Sequence, residues 1–393
     1  MRVSFEPLDS ALKSSRPLGT PWRLEAAKAQ EAVLPSGKVA VSCSAPFGTG
    51  GLGRHLKEIV DALGRREQTT VCICGSTRTR GSAAASSRRH TSPRHILGIP
   101  YLSTMLSLLP VPVSPGWRTR AFMMEFDAYA AQRLPAADHL IAFNGQALTQ
   151  FRAAKGARYR SISLVSANSH LRRVARQHAL AHRQYPLEGS WTTHLIKRNL
   201  TEYAQADRIY VASRYARESF VEEGFPEELL SDFPLTPDPR YERGCARATS
   251  GCFDIVYVGS LAVHKGVPLL IDAVRRLPHA DIRLILVGGW GTRGMRRFIQ
   301  EACASDRRIS VRPGDPLPHL RAARLCVHPS YEDGFAYAPA EALACGVPVI
   351  VSEDTGMKEL IDPCGNGLIL PTGDLSALTE AIAAAYRGEI FRR

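Results

Sequence analysis

Short runs of apolar and β-branched residues alternate with amphipathic helical stretches along this sequence, in two separate sets. The first set has strand-like runs at residues 39–43, 70–74, 140–143, 161–165 and 209–212, with helical stretches between them. The stretch 52–63 is one of these, and it puts Leu56, Ile59, Val60 and Leu63 on one face. The second set runs through 254–258, 283–287, 309–312, 325–328 and 348–352, with an amphipathic stretch at 268–277. Parallel strands need a crossover, and a helix supplies it, so this alternation predicts helix-covered parallel sheets. At 393 residues the chain exceeds one ordinary core. The reading is therefore α/β, with two Rossmann-like domains facing each other across a cleft outside the carboxyl ends of their strands, where such sheets bind ligands. Residues 1–37 have weak periodicity and read as a ragged leader. The N-terminal domain is expected at 38–240 and the C-terminal domain at 252–375, with a C-terminal helix in 376–393. Residues 236–252, rich in proline, glycine and small polar residues, read as the linker, and 78–95, rich in Ser, Ala and Arg, as a loop.

The charge is one-sided. The formal net charge is +13, yet residues 251–393 carry 16 basic and 16 acidic side chains, so the whole excess lies before residue 251. That imbalance favours anionic partners such as phosphates or lipid headgroups. Nucleic acid is not expected, because the basic residues are not interleaved with aromatics and no recognition motif appears. The most apolar segment, 97–113, is broken by Pro100, Pro110 and Pro112 and by Ser103, Thr104 and Ser107, so it is no membrane span and reads as core, with contact to a membrane surface as the alternative. The first residues show no apolar signal-peptide region. The nine cysteines are scattered, without a CxxC pair, and read as buried thiols in a reducing compartment rather than a metal site.

Three segments carry chemistry. In HPSYEDGFAYAPAEALACGVPVIVSEDTG, starting at His328, Gly334 permits a close turn, Pro339 suits the first position of a helix, and Gly346 stops that helix. Glu341 then falls in the first turn, beside free N–H groups that favour phosphate, where a carboxylate can accept two hydrogen bonds from a ribose diol. Taken alone, Glu341 equally complements the helix dipole. In DIVYVGSLAVHKGVPLLIDAV, a strand is followed by Gly259, Ser260 and a short loop, then by Lys265 at a helix start, placed to meet a diphosphate. In SAPFGTGGLGRHLKEIVDAL, Gly50, Gly51 and Gly53 lead from a strand into a helix, although not with the GxGxxG spacing.

Together these segments resemble the family 4 glycosyltransferases, the glycosyl transferases group 1, of GT-B fold. In that family two acids with seven residues between them flank a Gly-Phe turn, as Asp333 and Glu341 flank Gly334 and Phe335 here. The resemblance implies that Asp333, where the family has Glu, contacts the donor sugar's hydroxyls, with Glu332 beside it, and that Glu341 contacts the ribose. It implies that Lys265, with Gly259 and Ser260, holds the diphosphate. Ser260 stands where the family often has an Arg. The loop of Gly50, Gly51 and Gly53 would approach the donor across the cleft, and His170 would orient the donor sugar or stabilise the transition state. The bland reading of His170 is a loop histidine among Arg172, Arg173, Arg176 and Arg183.

The implied function is a retaining transfer of sugar from a nucleotide-sugar donor, without a metal and with no cofactor beyond the donor. The sequence holds no DxD motif. The N-terminal domain would bind the acceptor, a glycan, small molecule or lipid carrier of anionic character, in the cytoplasm or at the inner face of a membrane. A non-catalytic relative that binds nucleotide or glycan in a regulatory role is the alternative. The single helix expected at 375–386 leaves the returning helix of such enzymes shortened or absent.

Overall fold

A computed structural model describes residues 20–68, 70–75, 94–95, 115–242, 251–362 and 365–391. The first sheet orders its strands β3-β2-β1-β4-β5-β6-β7. These are β1 Val39–Pro46, β2 Thr70–Gly75, β3 Arg94–His95, β4 His139–Phe143, β5 Ser161–Ser166, β6 Arg208–Val211 and β7 Leu230–Asp232. The second orders β10-β9-β8-β11-β12-β13. It is built of β8 Phe253–Val258, β9 Ile282–Val287, β10 Ile309–Val311, β11 Leu325–His328, β12 Val349–Ser352 and β13 Gly367–Leu370. Every neighbouring pair is parallel. In each sheet the first strand is central and the order reverses beside it, which is the Rossmann-like arrangement. Helices cover the strands, so β1 and β11 are buried along continuous runs rather than at alternate residues.

The chain separates into two compact units that do not follow a single cut. The first sheet lies in the unit of Ala26–Ala175 and Gly189–Leu235. The second lies in the unit of Thr236–Arg393, which also takes in residues 20–25 and Arg176–Glu188. Each has its own core. Phe151, Leu164 and Phe220 lie in the first, and Leu270, Leu286 and Ile299 in the second.

Several expectations need correction. Residues 20–33 of the supposed leader form a helix, α1 Thr20–Val33, which buries Trp22, Ala26 and Leu34 just beyond its end, although its apolar periodicity is weak. Arg94–His95, at the end of the supposed loop 78–95, pair with Ile73 and Cys74. The start of the supposed linker is packed, with Tyr241 buried. The apolar segment 97–113 lies outside the described residues, as does most of 78–95. Strands β7 and β13, each at an edge of its sheet, are not among the expected runs. No helix among the described residues is long and apolar enough to cross a membrane. Cys43, Cys72, Cys74, Cys326 and Cys345 are buried and form no disulfide with one another, and burial pushes Cys43 and Cys326 up to about 12.

One buried network organises the first unit. Helix α4, Leu148–Gly156, begins with amide groups that have no partner within the helix. Glu202 accepts hydrogen bonds from the amides of Gly145, of Ala147 at 2.9 Å and of Leu148 at 3.1 Å. Asp127 accepts those of Thr149 at 2.7 Å and Gln150 at 3.0 Å. Arg198 pairs with both carboxylates and is 3.2 Å from Glu202. Burial pushes the Glu202 carboxyl up to about 7, against the pull of the Ala147 amide and the Arg198 charge.

Candidate functional site

Two loops at the carboxyl ends of neighbouring strands build the site in the second unit. The first leaves β8 through Gly259 and Ser260, makes one 3₁₀ turn at Val263–Lys265, and enters helix α8, Val267–Arg276. Between turn and helix sits Gly266 at φ +70°, where an added Cβ would lie 1.9 Å from the carbonyl oxygen of Pro329. Only glycine permits both the left-handed backbone and this approach of one loop to the other. The second loop leaves β11 after His328 and leads into helix α11, Tyr337–Ala344.

That approach brings Lys265 to Asp333, with Nζ 2.7 Å from Oδ2. Lys265 Nζ also lies 3.4 Å from the carbonyl oxygen of Glu332. His328 Nε2 lies 3.3 Å from the same Asp333 oxygen. Burial by itself would raise the Asp333 carboxyl, but the Lys265 charge and the His328 hydrogen bond hold it well below the usual carboxylate range. The His328 ring lies parallel to Tyr257, at 6.0 Å between centroids, and the Tyr257 hydroxyl donates to the carbonyl of Ser260 at 2.8 Å. The backbone of Asp333 is fastened on both sides, donating to the Asp354 carbonyl at 3.0 Å and accepting from the Gly356 amide at 2.9 Å.

Helix α11 starts two residues earlier than proline placement predicts. Tyr337 is its first residue, so Pro339 is third, where it still sacrifices no intrahelical hydrogen bond. Glu341 is consequently fifth, in the second turn rather than the first, and 1% exposed. The early start is made by Ala336 at φ +69°, a left-handed conformation that costs a non-glycine residue about 1–3 kcal/mol. Glu332 and Phe335 are buried at 1% and 5%, and Gly334 is buried as well, while Ser260 is exposed. Phe335 packs edge-on against Tyr337 at 5.6 Å.

The remaining expected site residues lie in the other unit. Gly50 opens helix α2, Gly50–Arg65, and Gly50 and Gly51 have open space where side chains would be. Gly53 serves packing: a Cβ there would lie 2.0 Å from the Pro46 carbonyl oxygen. His55, further along the helix, is buried between Phe143 and Phe233, and burial lowers it to about 3. His170 also departs from its expected place. It is fully buried, its ring within 5.5 Å of Tyr203, Phe220 and Phe225, and its amide donates to Ser219 Oγ at 2.7 Å. It packs as a core side chain, because three aromatic rings close around it.

Sequence reading missed His178, whose ring stacks on His264 at 4.3 Å, and Glu188, which accepts the Val263 amide at 2.8 Å. Both precede the site by many residues, and local periodicity has no signal for such contacts. Among the described residues no group of three or more His, Cys, Asp or Glu side chains is arranged to hold a metal ion.

Residues 252–387 match the family model described as glycosyl transferases group 1. Over 145 residues the chain is 29% identical to the O-antigen chain mannosyltransferase B of Escherichia coli, which covers 35% of this chain and 38% of that relative. The match therefore spans well under half of the relative's length. The fold is shared with the sucrose-phosphate synthase of Thermosynechococcus elongatus at a TM-score of 0.60, with 18% identity over 91% of this chain and 92% of that one. It is shared also with Anabaena HepE, solved in complex with UDP, at a TM-score of 0.57, with 18% identity over 90% of each chain.

Proposed function

From a C-terminal unit whose residues 252–387 match the glycosyl transferases group 1 model, we infer that this chain transfers a sugar from a nucleotide-sugar donor to an acceptor. The observation that carries this reading is the Lys265–Asp333 pair, 2.7 Å long, at the carboxyl ends of parallel strands and inside the matched region. In the transfer, the bond from the sugar's C1 to the diphosphate breaks, and negative charge develops on the departing diphosphate oxygen. Lys265 faces that charge with a fixed ammonium group, already oriented by Asp333. Asp333 stays ionised and accepts hydrogen bonds from sugar hydroxyls, and Glu341 accepts those of the ribose diol. On this reading the countercharge comes from Lys265 rather than from a metal, and the configuration at C1 is retained. No cofactor beyond the donor takes part.

The acceptor belongs to the N-terminal domain, whose sequence carries the whole basic excess. That charge supports an anionic or lipid-linked acceptor, met in the cytoplasm or at the inner face of a membrane. The test is nucleotide release from a panel of UDP-, GDP-, ADP- and CMP-sugars, with and without EDTA. Turnover of one donor, unaffected by EDTA, is the expected result. Silence with every donor, even after cell-extract acceptors are added, would leave a nucleotide-binding protein without transferase activity.

Ser260 offers a gain-of-function check. It is exposed in the loop that carries Lys265, and it replaces the Arg that this family often has there. Ser260→Arg is expected to lower the donor KM by about tenfold, the equivalent of one added charge-assisted hydrogen bond. A KM that stays the same or rises would place the diphosphate elsewhere.

A further inference from the structure

Helix α5, Leu171–Gln184, belongs to both units: Leu171 and Val174 are buried in the first core and Ala181 in the second. Its second half and the residues after it, Arg176–Glu188, are part of the unit that holds Lys265 and Asp333, although the chain reaches that unit's sheet only at Phe253. We propose that Arg176–Glu188 is a strap that positions the Lys265–Asp333 pair, with the His178 ring as its central contact. The proposal rests on the transfer reading above for its catalytic consequence, and on geometry for the strap itself.

The strap contacts Val263 and His264 just before Lys265, Tyr331 just before Asp333, and Asp354, whose carbonyl receives the Asp333 amide. His178 stacks on His264, the residue before Lys265, at 4.3 Å and 24°. The His264 carbonyl in turn accepts the Tyr331 amide at 2.9 Å, tying the Lys265 loop to the Asp333 loop. The Tyr331 hydroxyl donates to Gln184 Oε1 at 2.6 Å. Gln177 Nε2 donates to Asp354 Oδ2 at 2.9 Å, and the Asp354 carbonyl receives the Asp333 amide at 3.0 Å. Glu188 closes the other end by accepting the Val263 amide at 2.8 Å. A shift of about 1 Å in either loop would break the pair's geometry, and misplacement on that scale can cost a hundredfold in rate.

The stacked rings are held neutral. Burial lowers His178 to about 3 and takes His264 well below its usual value, and the Lys265 charge acts in the same direction on both. His182 is lowered by burial too, against the opposing pull of Glu188, and Asp333 opposes the shift at His264. Because the folded form prefers neutral rings, the strap's contribution is complete above the ordinary histidine value of 6.5 and fades as pH falls below it. Mild acid is therefore expected to loosen the strap before it touches the ionised Asp333.

The experiment compares His178→Ala with His178→Phe, reading donor kcat and KM beside hydrogen exchange in residues 263–266 and 329–334. His178→Ala is expected to lower kcat by about ten- to a hundredfold with a smaller change in KM, and to speed exchange in both loops. His178→Phe keeps an aromatic ring against His264 and is expected to restore kcat near pH 7.5. It should also keep a larger share of that activity near pH 5.5 than the natural chain, since one titrating ring is gone. Natural kinetics and natural exchange in His178→Ala would overturn the strap, as would a Phe variant no better than Ala. If the natural chain turns over no donor, exchange alone decides. Loosened loops in the Ala variant would then keep the strap while the transfer reading falls.

Discussion

Lys265→Ala is expected to lower donor kcat/KM by about a hundred- to a thousandfold, with the fold intact by circular dichroism. Lys265 supplies the cation nearest Asp333 in the site, and Ser260 brings none to share its work. The loss has two parts. The departing diphosphate loses its countercharge, and Asp333 keeps only the His328 hydrogen bond at 3.3 Å for a largely buried carboxylate. Asp333→Asn separates them, because it leaves the ammonium in place while removing the charge that orients it. If the two residues act as one unit, the double variant will be little worse than Lys265→Ala alone. The Asp333 carboxyl is held below its ordinary value of 3.8, so the pair's contribution is present above that pH and is lost only as pH falls through the lower folded value. Asp333 should therefore give no acid limb to the pH–rate profile across the neutral range. A Lys265→Ala variant within threefold of the natural rate would remove the pair from the mechanism.

Glu202→Ala is expected to destabilise the first unit by about 3–5 kcal/mol, read as a lowered urea midpoint with little change in the second unit's transition. The carboxylate is fully buried and accepts three backbone amides at the start of helix α4. Alanine would orphan those amides and leave the Arg198 guanidinium with Asp127 as its remaining carboxylate. Glu202→Gln preserves the shape but turns an NH₂ donor toward at least one of the amide donors, so an intermediate loss is expected. A change below about 1 kcal/mol in the Ala variant would mean that the helix start is satisfied without it.

Much of the second unit was legible from neighbours in sequence. The run at 325–328 is strand β11 to the residue, and 268–277 is helix α8 displaced by one position. Both have strong periodicity and clear stops. Where local signals were weak the reading missed, as with α1 and the short edge strands β7 and β13, which are stabilised by their neighbours rather than by propensity. Pro339 misled by a different route. Proline is tolerated through the whole first turn, and a left-handed Ala336 moved the helix start upstream.

Residue type and spacing determined the alternating α/β architecture, the separation of charge between halves and the choice of Lys265, Asp333 and Glu341 as candidate site residues. Each depends on periodicity or on a motif contained within a few tens of residues. Tertiary structure alone decided that Lys265 and Asp333, 68 positions apart, form an ion pair. It also decided that His170 is enclosed by aromatic rings and that Arg176–Glu188 belongs to the second unit. Those outcomes depend on which surfaces pack together once two cores have formed, and burial then sets whether a polar side chain serves as a ligand-facing group or as structure.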